Sequence, residues 1–237
     1  MSGAQRRVLR IGLWAAAVLA VLYGLLALAN ARTVQSFGTI IARVETDRPL
    51  VALTFDDGPT AADTPALLDA LGDTPATFFL IGRDMRAHPD ETMAIAEAGH
   101  EIGNHSDTHR RMVLVSPDWV REELARTDAA IAAAGYDGPT HFRPPYGKKL
   151  IALPWVLAEQ QRTTIMWSVE SDGTLSPEAM AAQVLAETGP GDIVLLHGMY
   201  AANAATRTAL PLILAGLEER GLTPVTVSEL MAAAPDR

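Results

Sequence analysis

The sequence predicts an α/β domain, a parallel sheet closed or nearly closed into a barrel, carried behind one apolar N-terminal helix. Two observations predict the domain. From about residue 38 onward short apolar runs alternate with amphipathic helical stretches, and residues suited to chemistry recur where the apolar runs end. A third predicts the helix: Arg6, Arg7 and Arg10 precede an uncharged apolar run over residues 11–29.

As a helix that run spans about 28 Å, close to the thickness of a bilayer core. Basic residues ahead of it favour an N-terminus kept in the cytoplasm and an exported domain. Its length exceeds a usual signal-peptide core, which favours an uncleaved anchor over residues 1–31. Ala29-Asn30-Ala31 is also an acceptable small-x-small cleavage site, so a removed signal peptide stays open. Either way residues 32–237 are exported, as a membrane-anchored domain or as a periplasmic or secreted one. The first 31 residues hold three of the 19 basic residues and none of the 28 acidic ones. The remainder carries 16 against 28, a net charge of −12. Nucleic acid is therefore not an expected partner, since phosphate binding needs clustered Lys and Arg. With no cysteine there is no disulfide framework and no thiolate metal ligand. A monomer is expected.

Strands are predicted over residues 39–44, 50–55, 76–81, 100–103, 140–143, 163–167, 192–197 and 223–227. Three helices announce themselves by a cap residue, then proline at the first helical position, then a terminating glycine. These are Thr64-Pro65 to Gly72, Ser116-Pro117 to Gly135 and Ser176-Pro177 to Gly189. A fourth is predicted over residues 208–220, with Pro211 in its first turn.

Polar groups follow these strands in a pattern. Asp56 and Asp57 follow VALTF, His105 and His109 follow HEIGN, and Arg143 to Tyr146 follow THF. Glu170 and Asp172 follow TIMWSV, and His197 closes IVLLH. In a parallel β/α barrel the C-terminal strand ends form the active-site face. Two adjacent buried carboxylates repel each other, and a cation beside them relieves the repulsion. One carboxylate with two imidazoles makes a mixed N/O set suited to zinc or a similar divalent ion with a position left open for water.

TFDDG, HSDTH, RPPYG and the late LLH, in that order, resemble the polysaccharide deacetylase family of metal-dependent carbohydrate esterases, over about residues 36–231. Members of that family act on chitin oligomers, peptidoglycan N-acetylglucosamine or nodulation-factor precursors. The resemblance implies a distorted barrel of about seven strands with the motifs around one groove. It also implies one divalent ion, zinc by expectation with cobalt, manganese and iron as alternatives. Asp57, His105 and His109 read as its ligands, the spacing of four placing both imidazoles on one side of a helical turn. Asp56 reads as the general base, although sequence alone leaves open an exchange of roles between the two aspartates. His197 reads as the general acid, and Arg143 as the partner that keeps Asp56 ionised. Tyr146 contributes its backbone N–H to the oxyanion, and Leu195 lines a pocket for the acetyl methyl. The fourth motif departs from the family pattern, as if one residue and its tryptophan were missing. Asp172, with Glu170 behind it, is the expected carboxylate tuning the acid or bracing Arg143, and Tyr200 is a substitute aromatic wall. His100 and His141 read as packing or strand-end residues, His88 as solvated, and Met93 and Trp119 as core. The expected function is removal of N-acetyl groups from an envelope glycan. A glycan-binding relative without activity and a hydrolase of small amides remain as alternatives.

Overall fold

The apolar residues ahead of the aspartate pair form the central strand, β2 (Leu50–Asp56), buried along its whole length. A strand with both faces covered reads as a continuous apolar run, as this one does. Alternation still sorts its side chains. Val51, Leu53 and Phe55 pack in one cluster with Leu67, Leu210 and Ile213 from the surrounding helices. Leu50 and Ala52 face the opposite side, with Phe79, Ile193 and Leu195. By the same period Thr54 and Asp56 share that second face.

The computed structural model describes residues 3–171 and 173–235. It opens with α1 (Gly3–Asn30) and β1 (Ile40–Ile41). After β2 come α2 (Thr64–Leu71), β3 (Thr77–Leu80), α3 (Gly82–Ala87), α4 (Pro89–Glu97), β4 (Glu101–Asn104), α5 (Pro117–Ala133) and α6 (Ala152–Glu159). Then follow β5 (Thr164–Ile165), β6 (Val169–Glu170), α7 (Pro177–Glu187), β7 (Ile193–His197), α8 (Ala204–Glu219), β8 (Thr223–Val225) and α9 (Val227–Ala232). Every ladder between these strands is parallel: β2 pairs with β3, β7 and β8, β3 with β4, β6 with β7, and β1 with β5. Single parallel bridges carry the pairing from Asn104 to Phe142 and from Phe142 to Thr164, and Arg43 pairs antiparallel with Asp192. All strand C-termini therefore point the same way.

The residues predicted as a strand over 140–143 make only single bridges at Phe142, and β1 shortens to two residues. The RPPYG prolines that follow lack the N–H a longer ladder needs. β6 was not expected. α8 begins at Ala204, earlier than predicted, so Pro211 sits inside the helix beyond its first turn. A 3-10 turn at Ala201–Asn203 leads into it, closed by Asn203 Oδ1 accepting the Tyr200 N–H at 3.2 Å. α1 includes a 24-residue span, Arg7–Asn30, whose most apolar 18 residues have mean hydropathy 2.3, long and apolar enough to cross a membrane. A signal sequence has the same properties.

Candidate metal centre and active-site groove

Successive residues of a strand point to opposite faces, so two adjacent aspartates ending β2 would diverge. Asp57 leaves the strand with φ +77°, while its N–H still bonds the Phe79 carbonyl at 3.1 Å. That break in alternation turns both carboxylates toward one cavity of about 390 Å3, lined also by His105, His109, Tyr146 and His197.

The histidines reach it from the loop after β4. Residues 105–109 form bends rather than the helical turn inferred from their spacing, with Ser106 at φ +66° and His109 at φ +55°. The loop is held from α5, where buried Glu123 accepts the Asp107 and Thr108 N–H groups at 3.0 and 2.9 Å. Ser106 Oγ accepts the His109 N–H at 3.0 Å. The two imidazoles end 5.0 Å apart between ring centroids.

Asp57 Oδ1 lies 3.1 Å from His109 Nε2 and 3.7 Å from His105 Nε2. It is buried and accepts no hydrogen bond. Tetrahedral zinc with ligands near 2.0–2.1 Å separates its donors by roughly 3.4 Å, so these distances fit a shared ion. His105 Nδ1 donates to the Arg143 carbonyl at 2.7 Å, which leaves the lone pair on Nε2. Burial, helped by His105, pushes His109 below its ordinary value against the pull of Asp57, favouring the neutral ring a metal needs.

Asp56 sits beside this set, its Oδ2 3.8 Å from His105 Nε2. Arg143, fully buried, donates from Nη1 to Asp56 Oδ1 and to Thr54 Oγ1, both at 2.7 Å. Its Nη2 and Nε bond the Met166 and Ile165 carbonyls at 3.0 and 3.3 Å. Burial alone would raise the Asp56 carboxyl; Arg143, His105 and His197 outweigh it and hold Asp56 below its ordinary value. His197 ends β7 directly opposite Asp56 in register. Tyr146, at φ +57° and 53% exposed, lays its ring 4.7 Å from that of His109. Leu195 lines the floor.

Three expectations change. Tyr200 does not line the cavity; its hydroxyl donates to Asp84 at 2.7 Å and accepts from the Gly58 N–H at 3.4 Å, behind the aspartate turn. Trp167 lines the cavity instead, an aromatic the fourth-motif pattern does not single out because it lies ahead of the acids rather than after them. Glu170 does not brace Arg143: it accepts Trp167 Nε1–H at 3.0 Å and pairs with Arg32. Asp172 lies outside the described residues. His100 is buried against Phe78, as expected, and His141 bonds Ser228 at 2.9 Å.

The family model described as polysaccharide deacetylase matches residues 43–164. A peptidoglycan-N-acetylglucosamine deacetylase of Bacillus cereus is 34% identical over 194 residues, 79% of this chain and 70% of that protein. The Listeria monocytogenes peptidoglycan-N-acetylglucosamine deacetylase PgdA is 34% identical over 76% of this chain, which spans only 38% of it. Among solved structures, the Bc1960 peptidoglycan N-acetylglucosamine deacetylase superposes with TM-score 0.76 at 32% identity, covering 83% of this chain and 94% of that one. A family 4 carbohydrate esterase pseudoenzyme from Bacillus anthracis superposes at 0.74 with 30% identity, covering 85% and 71%. With this likeness running the length of the domain and the motif side chains gathered at one set of strand ends, the chain belongs to the polysaccharide deacetylase family.

Proposed function

We propose that this chain is an exported, membrane-anchored deacetylase that removes N-acetyl groups from the amino sugars of peptidoglycan or a related envelope glycan. The family hydrolyses the N-acetyl amides of glycans and is metal-dependent in general. The carrying observation is the buried, unbonded Asp57 Oδ1 facing two imidazole nitrogens, with Asp56 and His197 flanking it. Asp57, His105 and His109 hold the divalent ion, taken as zinc, with cobalt, manganese and iron also compatible with this N/O donor set. Such an ion supplies Lewis acidity to the amide carbonyl and the attacking water.

The remaining work belongs to the chain. Asp56, kept ionised by Arg143, takes the proton of the attacking water. His197, across the strand pair, gives a proton to the departing sugar amine. The Tyr146 N–H, aimed by the left-handed turn after two prolines, holds the carbonyl oxygen as it gains charge. Leu195 receives the acetyl methyl. The closing bridges at Phe142 and Arg43 support a distorted barrel for residues 32–237, and α1 supports an anchor over residues 1–31 with the groove outside the cytoplasm.

The pseudoenzyme among the similar structures favours keeping a second reading, a glycan binder without turnover. Acetate release from chitin oligomers and from peptidoglycan by the detergent-solubilised chain separates the two. Release that a chelator abolishes, and one of the four metals restores, is expected. A metal-loaded protein that binds glycan and releases no acetate from either substrate refutes the enzyme.

A further inference from the structure

The segment that joins α1 to the domain is built into the groove. The Lys149 N–H donates to the Ala29 carbonyl at 3.2 Å. Its ammonium, on a residue 1% exposed, donates to the Ala31 carbonyl, while Lys148 donates to the Asn30 side chain. Both lysines meet a helix C-terminus, where carbonyls lack intrahelical donors and the dipole favours cations. Arg32 follows at once. Its guanidinium lies 4.7 Å above the Trp167 ring and pairs with Glu170, whose same Oε2 accepts the indole N–H. Trp167 and Glu170 line the groove, and Trp167 also lies 5.7 Å from the guanidinium of Arg143, the partner of Asp56.

An isolated exposed ion pair does little. Here one guanidinium stacks on an indole and neutralises the carboxylate that the indole's own N–H bonds, so each contact fixes the other two. Without it a bare carboxylate faces the groove and the aromatic wall loses its outer support.

We propose that Arg32, which lies outside the family-matched residues, is a substrate-positioning residue: it sets Trp167 as the wall for a sugar ring and masks Glu170. The inference rests on the glycan-binding groove of the preceding section. Arg32 touches no reacting atom, so its effect falls on ground state and transition state alike, on KM rather than kcat.

The test uses the full, zinc-loaded chain in detergent with an N-acetylglucosamine oligomer, comparing wild type, Arg32→Ala, Arg32→Lys, Glu170→Gln and the Arg32→Ala/Glu170→Gln double variant. Arg32→Ala should raise KM about 3–10-fold with kcat nearly unchanged. Arg32→Lys should recover only part, lacking the planar stack. Adding Glu170→Gln to Arg32→Ala should bring KM back toward wild type, because no bare carboxylate remains. An unchanged KM in Arg32→Ala, or a fall in kcat and thermal stability with KM unmoved, overturns the proposal. If wild type releases no acetate, the deacetylase reading fails separately. The oligomer Kd by calorimetry then replaces KM: a rise of the same size in Arg32→Ala supports the positioning role, and an unchanged Kd overturns it.

Discussion

Replacing Arg143 by Met tests the electrostatic frame of the site most directly. The guanidinium is fully buried, bonds Asp56 Oδ1 at 2.7 Å, and caps the Ile165 and Met166 carbonyls. Methionine matches much of its volume, so the loss is chiefly of charge and donors rather than of packing. Removing one partner of a buried pair destabilises by about 3–5 kcal/mol, because the other charge stays in place without compensation. The penalty should depend on pH in a definite sense. In wild type Asp56 is held below its ordinary value of 3.8, so it contributes stability above that pH and loses it as pH falls through the depressed folded value. Without Arg143, burial dominates and the carboxyl is raised, so the variant escapes its penalty by taking up a proton. The stability gap between wild type and Arg143→Met should therefore be widest near pH 7, narrow as pH falls through the raised value of the variant, and narrow further below 3.8 as wild type loses its own contribution. Denaturant unfolding of the detergent-solubilised chain, followed by tryptophan fluorescence at several pH values, measures it. A gap below about 1 kcal/mol at neutral pH, or one equally wide in acid, refutes the reasoning.

Three further outcomes follow from named contacts. Asp56→Asn should keep zinc while kcat falls by about 10²–10⁴, read by metal analysis beside acetate release. Glu123→Ala frees the amides of Asp107 and Thr108 and should weaken zinc binding about 10–100-fold by chelator competition, though Glu123 touches no ligand atom. Lys149 has its ammonium pushed down by burial to about 8 from 10.5, so the unfolded chain binds more protons between those values. Stability should then rise across that window in wild type and stay flat in Lys149→Met, measured by unfolding at pH 7.5 to 10.5.

The parallel sheet and the site's main residues were legible because both rest on short-range pattern. VALTF ends in two acids, IVLLH ends in a histidine, and strand order places both ends on one rim, where Asp56 and His197 prove to be register partners. What escaped was whatever depends on contacts distant in sequence. Tyr200 looked available as a wall, yet Asp84 from α3 claims its hydroxyl. Trp167 falls at the end of the strand predicted over 163–167 and is buried beside Phe79, Met166 and Leu195, yet it also lines the groove, and β6, which follows it, is too short at two residues to leave a periodic signal. Arg32 carried no motif at all. Its partners lie well over a hundred positions away, and only the docking of the α1 end brings them together.

The helical-turn inference for the histidines failed for a reason that also explains the geometry that succeeded. Among the described residues six non-glycine residues have positive φ, and Asp57, Ser106, His109 and Tyr146 are four of them, all at the groove or in its loops. Such conformations are disfavoured for residues with a Cβ and persist only where surrounding contacts over-determine them. Those contacts are present: the Phe79 carbonyl on Asp57, Asn104 Oδ1 on the Ser106 N–H at 2.9 Å, and Ser106 Oγ on His109. A helical turn would have set the imidazoles by spacing alone. The left-handed kinks instead let three loops, each leaving its strand in the same direction, bend their side chains inward toward one point. A regular backbone cannot turn adjacent aspartates toward one cavity, so the irregularity is what gathers the side chains of a row of strand ends around a single point.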